Sequence, residues 1–316
     1  MKLVVMIPCL NEAETLPLVF QTMPKTIKGI DQLEILVIDD GSTDETYEVA
    51  KKLGVVHFIR HKINRGLAIS FREGLKESLK MGADIIAITD GDNQYPQQKI
   101  PELIQPILDG LADVVIADRQ TSSIKHFSLF KKFLQTFGTW VLNKVSRSNV
   151  PDGTSGFRAY SREAAIQLNL IAPYSFATET VIQSGNKGQR TANITIQTNP
   201  KTRESRVMKS SISHARKSAI VILRSVMMYE PYAIFITIGV LFLLAGLIPF
   251  IHYLYLVFTA NDPYGAHHLQ SLIVGGVLLT ASFIAFTLGL IADLIRVNRI
   301  LIEEVLANQK KELYKK

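Results

Sequence analysis

Short aliphatic runs alternate with longer stretches of helical spacing over the first 120 residues of the chain. The aliphatic runs predict strands at residues 3–7, 35–38, 55–59, 85–89 and 114–117. Between them, apolar residues at helical spacing predict helices at residues 12–23, 44–53, 65–81 and 97–108. Strands that alternate with helices in this way form parallel sheets that the helices cover. The pattern therefore predicts an α/β domain with a mostly parallel sheet.

Two long uncharged segments follow near the C-terminal end. No Asp, Glu, Lys or Arg occurs from Pro231 through Asn261 or from Leu269 through Ala292. Each segment exceeds the roughly 20 residues that an α-helix needs to cross a bilayer. We therefore expect two transmembrane helices with a short outside hairpin within residues 231–295. The remaining divisions are a soluble domain at 1–200, a basic amphipathic segment at 201–230 and a charged cytoplasmic tail at 296–316.

The net charge of +7 lies largely beside these two uncharged segments. The flanking basic residues are Arg203, Arg206, Lys209, Arg216, Lys217 and Arg224 before the first segment, and Arg296, Arg299, Lys310, Lys311, Lys315 and Lys316 after the second. Basic residues stay on the cytoplasmic side, so we expect a multi-pass protein of the cytoplasmic membrane with the soluble domain and both termini in the cytosol. The flanking basic residues would meet anionic lipid head groups, so the bilayer rather than nucleic acid is the expected partner. The helix pair could also support a homo-oligomer.

Two acidic loops follow predicted strands, at the sheet edge where open parallel sheets bind ligands. Asp90 and Asp92 follow the strand at 85–89 and can point the same way in extended chain. Their oxygens suit Mg²⁺ or Mn²⁺ that carries a diphosphate, although acidic residues also simply end strands. Asp39 and Asp40 are adjacent acids at this edge, and we expect them to accept hydrogen bonds from a base or a ribose. Glycine motifs of dehydrogenases and P-loop enzymes are absent from the sequence.

Five ordered motifs resemble family 2 glycosyltransferases. The motifs are Pro8-Cys9-Leu10-Asn11-Glu12, Asp39-Asp40-Gly41-Ser42-Thr43-Asp44, Asn64-Arg65-Gly66, Asp90-Gly91-Asp92-Asn93-Gln94 and Thr154-Ser155-Gly156-Phe157-Arg158. Within that family the chain is most similar to polyprenyl-phosphate sugar transferases, including dolichol-phosphate mannose synthases and undecaprenyl-phosphate glucosyltransferases. The resemblance implies a GT-A fold, a nucleotide-sugar donor, a polyprenyl phosphate acceptor, Mg²⁺ or Mn²⁺, and inversion at the anomeric carbon. It leaves UDP-glucose, GDP-mannose and other donors open.

The resemblance also implies roles for individual residues. The nucleotide sugar would be bound by Pro8, Asn11, Glu12, Asp39, Asp40, Asp90 and Gly91. The metal would be held by Asp90, Asp92 and Gln94, and the catalytic residues would be Asp92, Arg119 and Glu179. The lipid phosphate would meet Arg119, Lys132 and Arg203 or Arg206, between which the motif does not choose. Arg119 could instead be a surface charge at a strand end, and Glu179 an ordinary exposed acid on a helix.

A phosphate acceptor needs no general base, because its oxygen is already anionic near neutral pH. His57, His61, His126 and His214 show no evident acid partner in the sequence, and we expect structural roles for them. We also expect the single cysteine, Cys9, to be a buried filler without chemistry.

Two amphipathic segments, Phe127 to Val145 and Val207 to Tyr229, could deliver the lipid at the membrane interface, although the first could equally pack on the sheet.

Two other functions are alternatives to a polyprenyl-phosphate sugar transferase. One is a polysaccharide synthase with a hydroxyl acceptor, which is weakened because no Gln-x-x-Arg-Trp signature surrounds Trp140. A non-catalytic membrane adaptor that keeps the fold is the other alternative. Such an adaptor would be expected to lose the metal acids, which this chain retains.

Overall fold

The computed structural model describes residues 1–120, 129–171, 176–200, 220, 223–224, 227–259 and 269–315. The chain forms two compact units. The first comprises Met1–Ser225 together with Glu304–Lys316, and the second comprises Val226–Glu303. Residues 304–315, which the sequence places in a charged tail, therefore belong to the same compact unit as the N-terminal domain.

The described part of the first unit contains a seven-stranded sheet with the strand order β3-β2-β1-β4-β6-β5-β7. The strands are β1 (Lys2–Cys9), β2 (Gln32–Asp39), β3 (His57–Arg60), β4 (Ile85–Ile88), β5 (Val114–Asp118), β6 (Arg158–Ser161) and β7 (Thr191–Thr195). Strand β6 runs antiparallel to both of its neighbours, β4 and β5, whereas the other pairs are parallel. The prediction of a mostly parallel sheet is confirmed.

Helices connect these strands and cover the sheet. They are α1 (Leu16–Thr22), α2 (Thr46–Lys52), α3 (Leu67–Lys80), α4 (Ile100–Leu108), α5 (Leu129–Ser146), α6 (Arg162–Gln167) and α7 (Phe176–Asn186). Strand β1 is buried from Leu3 through Cys9 because it lies in the middle of the sheet with apolar residues on both faces. Helix α1 begins four residues later than predicted, with Pro17 in its first turn.

The sequence pattern misses β6, β7, α6 and α7. Strand β6 has the sequence Arg-Ala-Tyr-Ser and contains no aliphatic run. Its Arg158 is fully buried, where a sequence pattern expects a surface residue. The guanidinium donates to the carbonyl oxygens of Ser155 (2.7 Å), Gly153 (2.8 Å) and Ala177 (2.7 Å). These bonds compensate its burial and tie the loop before β6 to helix α7.

The second unit contains most of two long helices, α8 (Pro231–Thr259) and α9 (Leu269–Leu313). By length and composition, both helices could cross a membrane. Small residues let them pack closely: Ser282 Oγ donates to the carbonyl oxygen of Gly239 (2.8 Å), and a Cβ on Gly275 would lie 3.1 Å from the carbonyl oxygen of Gly246. Helix α9 continues well beyond the predicted span end at residue 295.

The loop after β2 contains Gly41, which packs closely against the backbone of residues 63–64. Gly41 has φ +78°, and a Cβ there would lie 2.5 Å from the carbonyl carbon of Ile63 and 2.6 Å from the amide nitrogen of Asn64. Gly54 has φ +86° and open space around it. Gly54→Ala should cost about 1–2 kcal/mol through its backbone conformation alone. Gly41→Ala should lose a further ~1–3 kcal/mol because backbone atoms must move apart.

Chemical denaturation of the two variants beside the unchanged protein measures the difference. Equal losses of unfolding free energy would contradict the close packing of residues 63–64 on Gly41.

Candidate active site

Three loops meet at the carboxyl ends of β1, β2 and β4. The amide of Asn11 donates to Ser42 Oγ (2.9 Å), and the amide of Thr43 donates to Asn11 Oδ1 (2.7 Å). Thr15 Oγ1 donates to the carbonyl oxygen of Gly91 (2.8 Å). These bonds fasten the first predicted motif to the second and to the fourth, so the acidic loops lie at one edge of the sheet.

Two residues in these loops have strained backbones. Asn11 has φ 57° and Asn93 has φ 58°, in the left-handed region that residues other than glycine seldom adopt. Asparagine tolerates this region better than most residues, at some cost in stability. Strain of this kind is concentrated at binding and catalytic sites, where the surrounding structure holds it in place.

Gly91, in the middle of the Asp-x-Asp motif, packs directly against the first loop. A Cβ there would lie 2.8 Å from Cys9 Sγ and 3.3 Å from Cγ of Glu12. Burial raises the pKa of the Cys9 thiol well above its usual value, and the carboxylates of Glu12 and Asp39 raise it further. The thiol therefore stays protonated and fills space, as the sequence predicts.

Asp90 lies in a confined, acidic environment. Burial, and after it the charge of Asp92, raise its pKa to about 7, and the charge of Arg119 opposes this shift. A Cβ on Gly156 would lie 3.3 Å from both Asp90 Oδ2 and Tyr95 Oη, so the backbone of this loop packs tightly against both side chains. The Gly156 amide in turn donates to Tyr95 Oη (2.8 Å).

This acid pair fits a divalent cation that takes its other ligands from a substrate. Within the described residues, no group of three or more His, Cys, Asp or Glu side chains could hold a metal ion. Mg²⁺ is commonly bound by one or two carboxylates together with substrate phosphates and water. A cation would also offset the repulsion between Asp90 and Asp92. Gln94 lies beside them, and its backbone amide donates to Asp92 Oδ1 (3.1 Å).

Arg119 is positioned by a carboxylate that the sequence analysis missed. Its Nε donates to Asp152 Oδ2 (2.6 Å), and its Nη2 donates to Asp152 Oδ1 (3.0 Å) and Thr154 Oγ1 (2.8 Å). Burial alone would raise the pKa of Asp152, but the hydrogen bonds and charge of Arg119 lower it below its usual value. Arg119 Nη1 makes no hydrogen bond to the described part of the chain. The geometry is that of an oriented cation rather than of a solvated surface charge.

The adjacent acids Asp39 and Asp40 have different environments. Asp39 Oδ1 accepts from the amide of Ser42 (2.8 Å), whereas its buried Oδ2 lies 3.5 Å from Arg60 Nε and has no hydrogen-bond partner among the residues described. Asp40 instead accepts from the amides of Arg65 (2.9 Å) and Gly66 (2.8 Å). Asp39 Oδ2 can therefore accept a hydrogen bond from a ligand. Asp40, by contrast, holds the loop at residues 61–66 in place.

The expectation that the histidines lack acid partners is wrong for His61 and His57. His61 Nδ1 lies 2.7 Å from Asp40 Oδ1, and its Nε2 lies 2.8 Å from Glu73 Oε2. Carboxylates therefore engage both ring nitrogens, and the ring links the end of β2 to helix α3. His57 Nε2 lies 3.3 Å from Glu34 Oε2. The partners of both rings are far away in sequence, and the fold brings them together.

Glu179 is buried in helix α7, which excludes the alternative of an exposed helix acid. Its Oε1 accepts from the amide of Ile171 (3.0 Å) and from Gln183 Nε2 (3.3 Å). Helix α7 is tied through Arg158 to the loop that carries Thr154, a partner of Arg119. Of the predicted lipid-phosphate residues, Arg203 and Arg206 lie outside the described residues, as does the side chain of Lys132 in α5.

The family profile described as glycosyl transferase family 2 matches residues 4–168, which include the three loops and the acid pair. The chain belongs to this family. This glycosyltransferase is 31% identical over 182 residues to a dolichol-phosphate mannosyltransferase of Pyrococcus furiosus, covering 54% of this chain and 50% of that protein. It is 26% identical over 206 residues to an undecaprenyl-phosphate mannosyltransferase of Micrococcus luteus, covering 62% of this chain and 83% of that protein.

Solved structures confirm the fold of the glycosyltransferase. Glucosyl-3-phosphoglycerate synthase from Mycobacterium tuberculosis, solved with Mn²⁺, UDP and glucosyl-3-phosphoglycerate, has a TM-score of 0.54 to this chain at 18% identity. The match covers 72% of this chain and 78% of that one. The predicted GT-A fold is therefore confirmed.

The Arg119–Asp152 pair should make the glycosyltransferase more stable above the normal pKa of an aspartate. A carboxyl whose pKa is lowered by folding stabilises the fold at pH values above its unfolded-state pKa. This contribution to the free energy of unfolding is lost as the pH falls through the folded-state pKa. Asp152→Asn should lose about 1.5–3 kcal/mol near pH 7. On acidification below about pH 4, the free energy of unfolding of Asp152→Asn should therefore fall less than that of the unchanged protein.

Asp113→Asn is the matched control, because Asp113 pairs with Arg190 at the surface (3.1 Å). An exposed pair contributes roughly 0–1 kcal/mol. Thermal unfolding from pH 7 to pH 3 compares the two variants. Equal losses at pH 7 would refute the positioning of Arg119 by Asp152.

Proposed function

We propose that this glycosyltransferase moves a hexose from a nucleotide sugar to a polyprenyl phosphate at the cytoplasmic face of a membrane, with inversion at the anomeric carbon. The observation that carries the proposal is the arrangement of Asp90, Asp92 and Arg119 at one sheet edge, with carboxylates for a cation beside an oriented guanidinium for phosphate. The relatives named above, which act on dolichol phosphate and undecaprenyl phosphate by name, support the acceptor class.

The nucleotide would lie across the first two loops. Asp39 Oδ2, buried and without a hydrogen-bond partner in the described part of the chain, suits an N–H of a base or a hydroxyl of a ribose. Pro8, Asn11, Glu12 and Gly91 would line the same space. Asp40 would contribute indirectly, by holding the loop at residues 61–66 against the second motif.

Asp90 and Asp92, with Gln94 beside them, would hold Mg²⁺ or Mn²⁺, which supplies charge neutralisation for a departing nucleoside diphosphate. The structural neighbour with Mn²⁺ and UDP supports this metal requirement. Arg119 would bring the anionic oxygen of the lipid phosphate in line with the anomeric carbon. The new bond joins that oxygen to the anomeric carbon. The bond to the diphosphate oxygen breaks, and its electron pair leaves with the nucleotide.

No general base is required for this step, because the attacking phosphate oxygen carries no proton near neutral pH. Both ring nitrogens of His61 are engaged by Asp40 and Glu73, which gives this ring a structural role. The buried carboxylate of Glu179 would lie near the donor sugar and help to orient it. Catalysis would rest on positioning and on electrostatic stabilisation of the leaving group.

The acceptor requires a membrane, and two helices of suitable length and composition support membrane anchoring. Residues 304–315 belong to the compact unit of the catalytic domain, which supports a C-terminal tail on the same side of the membrane. The basic residues that flank the helices favour the cytoplasmic side. The relatives differ in sugar, since one transfers N-acetylglucosamine from its UDP derivative by name, so UDP-glucose, GDP-mannose and other nucleotide-sugar donors all stay open.

Transfer from a panel of radiolabelled nucleotide sugars into extractable lipid tests the reaction. With purified protein, polyprenyl phosphate and Mg²⁺ or Mn²⁺, we expect lipid-borne label from one donor and its loss on addition of EDTA. Label in polysaccharide instead of lipid would favour a hydroxyl acceptor. Nucleotide binding without transfer from any donor would contradict the enzyme and favour the adaptor alternative.

Asp92→Asn should lower transfer on the order of 10²- to 10³-fold, because the metal would lose an anionic ligand. Asp109→Asn is the control, since Asp109 lies at the exposed end of α4 and accepts only from Gln105 in the hydrogen bonds observed (2.8 Å). Initial rates at saturating donor measure the effect. Unchanged transfer by Asp92→Asn would overturn the metal assignment.

A further inference from the structure

Lys310, near the end of helix α9, is fastened to the catalytic domain by its ammonium group. Its Nζ donates to the carbonyl oxygens of Ile166 (3.1 Å) and Leu168 (2.9 Å) and to Asn169 Oδ1 (2.8 Å). An ammonium group has three donors, and this geometry uses all of them. The acceptors lie at the C-terminal end of α6, where carbonyl oxygens lack helical partners and a cation is favourable.

The segment that Lys310 holds also orients Glu179. The amide of Asn169 donates to Gln183 Oε1 (2.8 Å), and Gln183 Nε2 donates back to the carbonyl oxygen of Asn169 (2.7 Å). The amide of Ile171, two residues on, donates to Glu179 Oε1 (3.0 Å), as does Gln183 Nε2 (3.3 Å). Hydrogen bonds therefore connect Lys310 through Asn169 and Gln183 to the carboxylate of Glu179.

Other residues of the C-terminal end fix Lys310 in place. The side chain of Arg162 donates to the carbonyl oxygen of Ala83 (2.7 Å) and to that of Tyr314. Lys311 forms an ion pair with Glu163 on α6, and the ring of Tyr314 is buried. Lys315, by contrast, pairs only with Glu312 among the described ion pairs, and both side chains are exposed.

We propose that Lys310 is a positioning residue, which holds residues 166–171 so that Glu179 is oriented for the donor sugar. The C-terminal end of the chain is then part of the catalytic unit rather than a solvated tail. The role of Glu179 rests on the proposed function, whereas the hold of Lys310 on residues 166–171 does not. Lys310→Met keeps an aliphatic side chain of similar length and leaves three acceptors without their donor.

The experiment compares Lys310→Met with Lys315→Met in the full-length protein. Amide hydrogen exchange of the peptide that covers residues 166–171 is the first measurement. We expect faster exchange in Lys310→Met and no change in Lys315→Met. Lys310→Arg, which keeps a cationic donor, should restore much of the protection. Unchanged exchange in Lys310→Met would overturn the proposal whether or not the protein transfers sugar.

Steady-state kinetics is the second measurement. Lys310→Met should lower kcat on the order of 10- to 100-fold, with a smaller change in the KM of the donor, because a misplaced carboxylate affects the transition state most. In a Glu179→Gln background the same substitution should have little further effect, since both act through one carboxylate. Additive losses in the double variant would show that Lys310 acts elsewhere and would refute this part of the proposal.

The two measurements separate failure of the proposal from failure of the proposed function. If the unchanged protein transfers no sugar but Lys310→Met loosens residues 166–171, the proposed function fails and the structural hold stands. If transfer is robust and Lys310→Met alters neither exchange nor kcat, the proposed function stands and the positioning role fails. Thermal unfolding of Lys310→Met and Lys310→Arg distinguishes a local change from loss of the fold.

Discussion

The site depends on the repulsion between two carboxylates at the end of a buried strand. Asp90 and Asp92 are held near one another in a confined space that disfavours their combined charge. Gly91 lets this loop pack against Cys9 and Glu12, and Gly156 lets the loop before β6 pack against Asp90. Such an arrangement costs stability unless a positive charge enters, and Arg119 offsets only part of it. A cation that arrives with a diphosphate would complete the balance.

Hydrogen-bonded polar side chains around this centre fix the positions of its parts. Asp152 orients Arg119, and His61 links the end of β2 to helix α3 through Asp40 and Glu73. Arg158 joins the loop before β6 to α7. Removal of one partner would leave a desolvated polar or charged group, so these networks specify one geometry for the loops rather than add much net stability. The chemistry then needs little reorganisation of the protein.

Local sequence pattern predicts the first half of the fold and the acid loops, because aliphatic strands and helical spacing are local signals. It misses β6, whose four residues include a buried arginine, and it misses Asp152 and the partners of His61. Those contacts join residues 12 to 33 positions apart, and only the folded chain brings them together. The motif resemblance supplies Arg119 and Glu179 as candidates. The contact of Lys310 with residue 166, 144 positions away, has no local signal.

Binding of Mn²⁺ in the presence of a nucleoside diphosphate tests the central claim most directly. Titration of the purified protein, followed by electron paramagnetic resonance of unbound Mn²⁺, measures the number of bound ions without any transfer of sugar. We expect one nucleotide-dependent Mn²⁺ site in the unchanged protein and its loss in Asp92→Asn. Equal Mn²⁺ binding by the two proteins, or none by either in the presence of bound nucleotide, would contradict it.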